Sequence, residues 1–455
     1  MSKNLAPNNN VFYRTQNWHY PKIVKGEGIY LIDENGRRYL DGCSGSSVAN
    51  IGHGNKEIAE HAKNQIEKIA FTHLSRFTAE PIEKCAKLVA KHAPEDLNHV
   101  YFVSGGSEAV ETSIKMARQY YVERDGEDTS KYKVISKWNS FHGNTLGALS
   151  LTGIPGRRKI YDPMLINFPK VDQFYHYRNP WQAKTLKDTS RLAAKALEDE
   201  IQRIGSKNIA AFISEPIVGS AAPGVHPDKI YFDLVREICD KHDILLIIDE
   251  VMSGFGRTGK WFAIEHYGLN PDILVTAKGM SCGYTPIGSV IASDKVFGCI
   301  MQTGSGNFIH GHTYGGNPLS CSIAAKVIEM LERDNIIANA KEMGDYLYSK
   351  LEDLKQLSSV GDLRGLGLMI GIEFVKNKET KEAFSNTVNF KGILTQNCME
   401  EGLVIYPGGG TANGSDGDHI LITPPLNITK NEIDSLVEML KTSIIKTEEM
   451  LLWKN

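Results

Sequence analysis

The stretch Ile244–Lys278 reads I-L-L-I-I-D-E-V-M-S-G-F-G-R-T-G-K, then W-F-A-I-E-H-Y-G-L-N, then P-D-I-L-V-T-A-K, with G-M following. Two apolar runs, Ile244–Ile248 and Ile273–Val275, have the length of buried strands. Each is followed closely by residues with chemistry to offer. The first delivers Asp249, Glu250 and Val251; the second delivers Lys278 and then Gly279. A carboxylate at the end of an apolar strand is costly unless it is paired. Its partner is a protonated pyridine nitrogen, an arginine or a helix N-terminus. A lysine amine taken out of water has a lowered pKa and attacks carbonyl carbon. Taken singly, Asp249 also reads as a structural acid and Lys278 as a solvated lysine. Together, an acid at one strand end and a lysine at the next can hold a cationic heterocycle and attack its carbonyl.

Outward from this stretch, strands alternate with helices. His99–Val103, Tyr132–Ser136 and Ile209–Ser214 read as strands. Glu57–Ile69, Pro81–His92, Thr189–Ile204 and Asp228–His242 carry helical apolar spacing. The alternation predicts a doubly wound α/β domain with a mainly parallel sheet. Past Pro318 the pattern changes. Helices at Leu319–Glu332, about 335–355 and 388–401, a Gly-rich loop Pro407–Gly417, a strand Ile420–Thr423 and a final helix from Lys430 predict a smaller α+β unit. No linker signature separates the two parts. Before residue 55 the chain reads as an arm with Phe12, Tyr13, Trp18 and Tyr20 docked on the body. A hairpin over Gly28–Tyr39 turns at D-E-N-G, and a small-residue loop, L-D-G-C-S-G-S-S-V-A-N-I-G-H-G, follows. The expected division is 1–55 (arm and part of the small domain), 56–325 (large domain) and 326–455 (small domain).

Bulk properties narrow the function classes. The 455 residues suffice for a large core. A net charge of -3 gives no electrostatic case for nucleic acid or an anionic membrane. The apolar runs fall far short of the roughly 20 residues of a membrane span. The opening M-S-K-N-L-A-P-N-N-N has no apolar core of a signal peptide. Seven scattered cysteines without a C-x-x-C fit reduced thiols and a cytoplasmic setting.

Two further motifs bear on the site. Ser104-Gly105-Gly106-Ser107 lies between a strand and a helix, where free N–H groups and the positive helix end receive an anion. It is neither G-x-x-x-x-G-K-[ST] nor G-x-G-x-x-G, so no nucleotide is implied. Phe141-His142-Gly143 follows a strand and offers a ring to stack on a planar group. Each also has an ordinary reading, as a plain turn and a core aromatic. His310 and His312 have no Cys, Asp or Glu at useful spacing, so no metal site is expected. Gly256–Lys260 has the wrong spacing for a phosphate loop.

Together these motifs resemble the class III, or omega, aminotransferases. The resemblance runs from K-G-E-G-I-Y-L-I-D-E-N-G-R-R-Y-L-D through S-G-G-S-E-A, F-H-G, S-E-P-I-V-G, I-I-D-E-V-M-S-G-F-G-R-T-G and A-K-G-M to G-D-H-I-L-I-T-P-P-L. It implies pyridoxal 5′-phosphate and fold type I, with a mainly parallel seven-stranded sheet. It implies that Lys278 bonds the cofactor carbonyl and later shuttles a proton, and that Asp249 keeps the pyridine nitrogen protonated. Val251 and Phe141 would pack on opposite ring faces. Gly106 and Ser107 would hold the phosphate, His142 and Glu215 would lie near the cofactor, and Thr313 of a partner subunit would complete the site of a homodimer. Trp18, Ser46, Ser47 and Glu215 are the expected substrate-pocket residues.

The chain departs from the family pattern in three places. The turn N-S-G-S/A is here S-G-G-S. Y-H-G is F-H-G, which keeps the stacking ring and loses the phenol. The arginine that many members carry before G-D-x-I…P-P is absent from P-G-G-G-T-A-N-G-S-D-G-D-H. The expected function is transfer of an amino group from a primary amine or omega-amino acid to a 2-oxo acid, pyruvate or 2-oxoglutarate. The alternative is a lyase on the same scaffold, eliminating ammonia or phosphate from a small amino-phospho compound. A non-catalytic relative is disfavoured by the presence of both Lys278 and Asp249.

Overall fold

The computed structural model describes residues 6–452. The first five residues of the expected arm and the last three of the chain lie outside the described residues. A seven-stranded sheet forms the centre. Its order is Leu97–Val103, Gly288–Ser293, Ile273–Thr276, Leu245–Asp249, Ile209–Ser214, Lys133–Lys137 and Lys170–Val171. All neighbours run parallel except Gly288–Ser293, which is antiparallel to both of its partners. Leu245–Asp249 and Ile273–Thr276 are buried along their whole length. A central strand covered on both faces accounts for the unbroken apolar runs. The strand Gly288–Ser293 has no counterpart in the sequence reading. Its run G-S-V-I-A-S mixes two serines with only two branched apolar residues, too weak a signal beside a central strand.

The parallel strands share one direction, so Lys137, Ser214, Asp249 and Thr276 end on one edge. In an open α/β sheet the crevice outside the carboxyl ends is where ligands sit. Helices Gly106–Asp125, Leu186–Ile204 and Ile230–Lys241 cover the sheet.

Two smaller sheets flank this body. Ile23–Glu27, Tyr30–Asp33 and Arg38–Asp41 pair in series, and Leu403–Val404 joins Arg38–Asp41 in parallel. Val360–Leu366, Met369–Asn377, His419–Ile422 and Tyr406–Gly408 form an antiparallel sheet, with Glu382–Ala383 on Met369–Asn377. The helix Pro318–Arg333 runs through the boundary where no linker signature was found. One apolar core, including Ile248, Phe255, Leu331, Ile370 and Leu426, spans both parts.

Arg257, from the discounted G-R-T-G-K segment, is a structural pin. Its guanidinium is fully buried and donates to the carbonyls of Leu368 and Pro424, to Asn50 Oδ1 and to Ser44 Oγ. A buried charge is tolerable when its donors are used this way. All seven cysteines are free thiols. Among the described residues no helix is long and apolar enough to cross a membrane, and no group of three or more potential ligands is placed to hold a metal. His310 Nε2 instead lies 2.8 Å from Thr112 Oγ1.

Candidate active site

At the carboxyl edge of the central sheet lies a cavity of about 150 Å³. Gly106, Ser107, Phe141, His142, Glu215, Asp249, Val251 and Lys278 all line it, with Gly143 and Met252. Eight of the residues singled out in the sequence therefore meet at one place, although they span more than 170 positions of chain.

Lys278 follows the strand Ile273–Thr276 with a left-handed φ of 39° and opens a short 3₁₀ turn. Such a conformation costs a non-glycine residue on the order of 1 kcal/mol and clusters at functional sites. Burial is the main influence on its amine and brings the pKa down to about 8. Asp249 and Glu215 oppose that shift, while Arg257 and Arg157 add to it. The amine is therefore partly neutral near pH 7 and available as a nucleophile.

Asp249 closes the strand Leu245–Asp249 and is 4% exposed. Its Oδ1 accepts from the backbone N–H of Val251 at 3.0 Å, and its Oδ2 accepts from His142 Nδ1 at 2.7 Å. His142 is in turn held by its backbone N–H, which donates to Thr152 Oγ1 at 3.0 Å. The sequence placed His142 beside a cofactor; its ring also orients the acid. Neighbouring Glu250 takes no part. It accepts from Ile264 N and Ser253 Oγ, and burial pushes its pKa up to about 7.

The S-G-G-S turn opens the twenty-residue helix Gly106–Asp125. Gly105 caps it without a side-chain hydrogen bond, and Glu108 reaches back to accept from Ser104 N at 2.7 Å. Among the described residues the N–H groups of Gly106 and Ser107 have no acceptor. Free N–H groups at a positive helix end make an anion cradle. A Cβ at Gly106 would fall 2.8 Å from Val251 Cγ1, so the turn and the strand end touch only because residue 106 has no side chain. Gly143, quoted in the F-H-G motif but not singled out, has a φ of 139°, and a Cβ there would meet Ser107 Oγ at 2.5 Å.

Glu215 is buried, and its two oxygens accept from Phe141 N at 3.2 Å and Gly219 N at 2.9 Å. Burial raises its pKa, with His142 lowering it and Asp249 raising it further. Backbone donors thus satisfy both Glu215 oxygens but bring no opposing charge.

Three expected substrate-pocket residues do not join the cavity. Ser47 is buried with its hydroxyl donated to Thr423 Oγ1 at 2.9 Å. Ser46, in the same kinked turn, is partly exposed and is not among the cavity lining. The turn Ser44–Ser47 packs toward the C-terminal strand, outside this cavity. Trp18 lines a separate groove with His19, Arg37, Tyr39 and Glu400. Thr313 is exposed on a turn and does not line the cavity of its own chain. Arg157, absent from the sequence reading, stacks over the Phe141 ring at 4.7 Å. An amine near its neutral range, a fixed carboxylate and an anion cradle meet in one space. They can receive a molecule with an anionic tail, a cationic ring and a carbonyl.

Residues 13–444 match the aminotransferase class-III family. The putrescine–pyruvate aminotransferase of Pseudomonas aeruginosa is 36% identical over 435 residues, covering 94% of this chain and 91% of that one. An (S)-enantioselective omega-transaminase from Thermomicrobium roseum superposes with a TM-score of 0.89 at 34% identity, covering 98% and 96% of the two chains. The omega transaminase of Pseudomonas jessenii, solved with PMP, gives 0.90 at 30% identity and covers 97% of each. The chain belongs to the class III aminotransferases, pyridoxal-phosphate-dependent transaminases of fold type I. The lyase alternative finds no support among these relatives and is set aside.

Proposed function

We propose that the protein transfers an amino group from a primary amine or omega-amino acid to a 2-oxo acid, pyruvate or 2-oxoglutarate. The observation that carries this reading is the single cavity in which Lys278, with its pKa near 8, faces the fixed carboxylate of Asp249 beside the free N–H groups of Gly106 and Ser107. The amine donor and pyruvate named for the Pseudomonas aeruginosa relative support the substrate class.

In this reading Gly106 and Ser107 hold the cofactor phosphate, and Asp249 pairs with the ring nitrogen. Val251 and Phe141 flank the ring. When bound, the cofactor supplies an electron sink for charge developing at the substrate carbon. Lys278 carries the proton: its amine, neutral in a useful fraction, takes it from the substrate carbon and returns it elsewhere. His142 keeps Asp249 oriented throughout. Thr313 completes the phosphate site from a second copy of the chain, which makes the working unit a homodimer; its exposed position away from its own cavity supports this. The seven free thiols support a cytoplasmic setting. The division into 1–55, 56–325 and 326–455 belongs to the same reading. The pairing of Leu403–Val404 with Arg38–Asp41 supports joining the first and last segments in one unit.

A half-reaction tests the activity. Putrescine added to the yellow protein without an acceptor should bleach the visible band once per site and release one equivalent of aldehyde. Pyruvate should restore the band. Continuous ammonia release with the band intact would contradict transamination.

The phosphate turn makes a separate prediction. Gly106→Ala pushes a methyl against Val251 Cγ1. Overpacking of this kind costs about 1–3 kcal/mol, so cofactor affinity should fall roughly ten- to a hundredfold. Equilibrium dialysis against graded cofactor reads this directly, and unchanged affinity would refute the contact.

A further inference from the structure

The loop Pro407–Gly417 lacks the arginine with which many class III members hold a substrate carboxylate, and Glu215 is satisfied by backbone donors. A 2-oxo acid still brings a carboxylate to the cavity. Burying that charge without a partner would be costly.

One cation beside the site is unspent. Arg157 sits in the turn Pro155–Arg158, with its Cζ 4.7 Å from the centroid of the Phe141 ring, and Phe141 lines the cavity. Among the described residues its guanidinium has no hydrogen-bond acceptor and no carboxylate partner. The adjacent Arg158 is fully engaged, donating to the carbonyls of Leu149, Ser150 and Thr152 and pairing with Asp162. The positive charge of Arg157 is felt at the Lys278 amine, which places it within electrostatic reach of the reacting centre. Its turn also touches the arginine-free loop, since a Cβ at Gly414 would lie 2.9 Å from Pro155 Cγ. The contact with Phe141 does not consume the donors of the planar fork, and that fork matches a carboxylate with two parallel bonds. Arg157 stands beside Phe141 and is not itself among the cavity-lining residues; the acids and the lysine that do line the cavity are unsuited. Asp249 and Glu215 are acids, and Lys278 is the nucleophile.

We infer that Arg157 is the carboxylate-binding residue for the 2-oxo acid acceptor, taking the place of the arginine missing from the loop 407–417. The inference rests on the transaminase reading above. Arg157 is a specificity residue, and its effect should fall on acceptors that carry a carboxylate.

The test compares wild type with Arg157→Gln and Arg157→Lys as holoenzymes. After putrescine has bleached the band, its return is followed with pyruvate and with propanal, which lacks the carboxylate. A charge-assisted hydrogen-bond pair lost from the acceptor should lower the pyruvate-to-propanal ratio of kcat/KM roughly ten- to a hundredfold in Arg157→Gln. Arg157→Lys, which keeps the charge and loses the fork, should fall between. Calorimetric titration with propanoate, an unreactive carboxylate, gives a readout that needs no turnover. Its affinity should drop by a similar factor in Arg157→Gln. An unchanged ratio, or equal propanoate affinity in both proteins, overturns the inference. If putrescine leaves the wild-type band unbleached, putrescine fails as the donor, and the propanoate titration still decides the role of Arg157.

Discussion

Lys278→Ala should lose turnover by on the order of 10⁴-fold, the upper range for removing a positioned proton carrier. It should also lose the yellow band of the loaded protein. Among the described residues Lys278 is the only lysine lining the cavity. Alanine removes the nucleophile and leaves the fold intact, because the strand Ile273–Thr276 is anchored on both sides by its neighbours. The lowered pKa gives this prediction a pH dependence. Burial disfavours the charged amine, so the neutral form gains as pH rises through about 8. Uptake of cofactor by the wild-type apoprotein should therefore accelerate with pH and level off above about 8. An ordinary lysine would still be accelerating near pH 10. Stopped-flow absorbance at graded pH distinguishes the two. A variant at position 278 with full turnover would refute the assignment.

Asp249→Asn should reduce kcat/KM by on the order of 10²–10³-fold. The change keeps the shape of the side chain and an oxygen for the Val251 N–H or the His142 ring. It removes the negative charge that would hold a proton on the ring nitrogen. Breaking one side of a buried charge pair costs about 3–5 kcal/mol, which sets that scale. Cofactor affinity should weaken with it, and fluorescence titration of the apoprotein measures this. A loss smaller than about tenfold in both quantities would mean that the carboxylate serves only His142.

Much of the site was legible because its residues sit at ends of elements that announce themselves. Asp249 and Lys278 follow continuous apolar runs, and those runs are continuous because both strands are buried on both faces. Gly106 and Ser107 sit where a strand signal changes to a helix signal. The legible part stops where position depends on how the chain folds back. Ser46 and Ser47 lie in a short turn whose direction is set by a bond to Thr423, some 376 positions away. Trp18 belongs to an arm whose docking place is not encoded in its own spacing. Arg157 lies sixteen residues beyond Phe141, past the short helix Leu146–Leu151, and only the folded chain puts one over the other. The strand Gly288–Ser293 was hidden because its small and polar residues are used for close packing: a Cβ at Gly288 would lie 2.9 Å from the Gly105 backbone.

The parallel pairing of Leu403–Val404 with Arg38–Asp41 has a consequence for biosynthesis. Leu40 and Leu403 are register partners. The edge of the early hairpin must therefore wait for a strand made more than 360 residues later. At about 5–20 residues per second, that wait is roughly 20–70 s on the ribosome. For that interval Arg38–Asp41 is an open template, with three of its four residues destined for burial. Its shortness limits what else can pair with it.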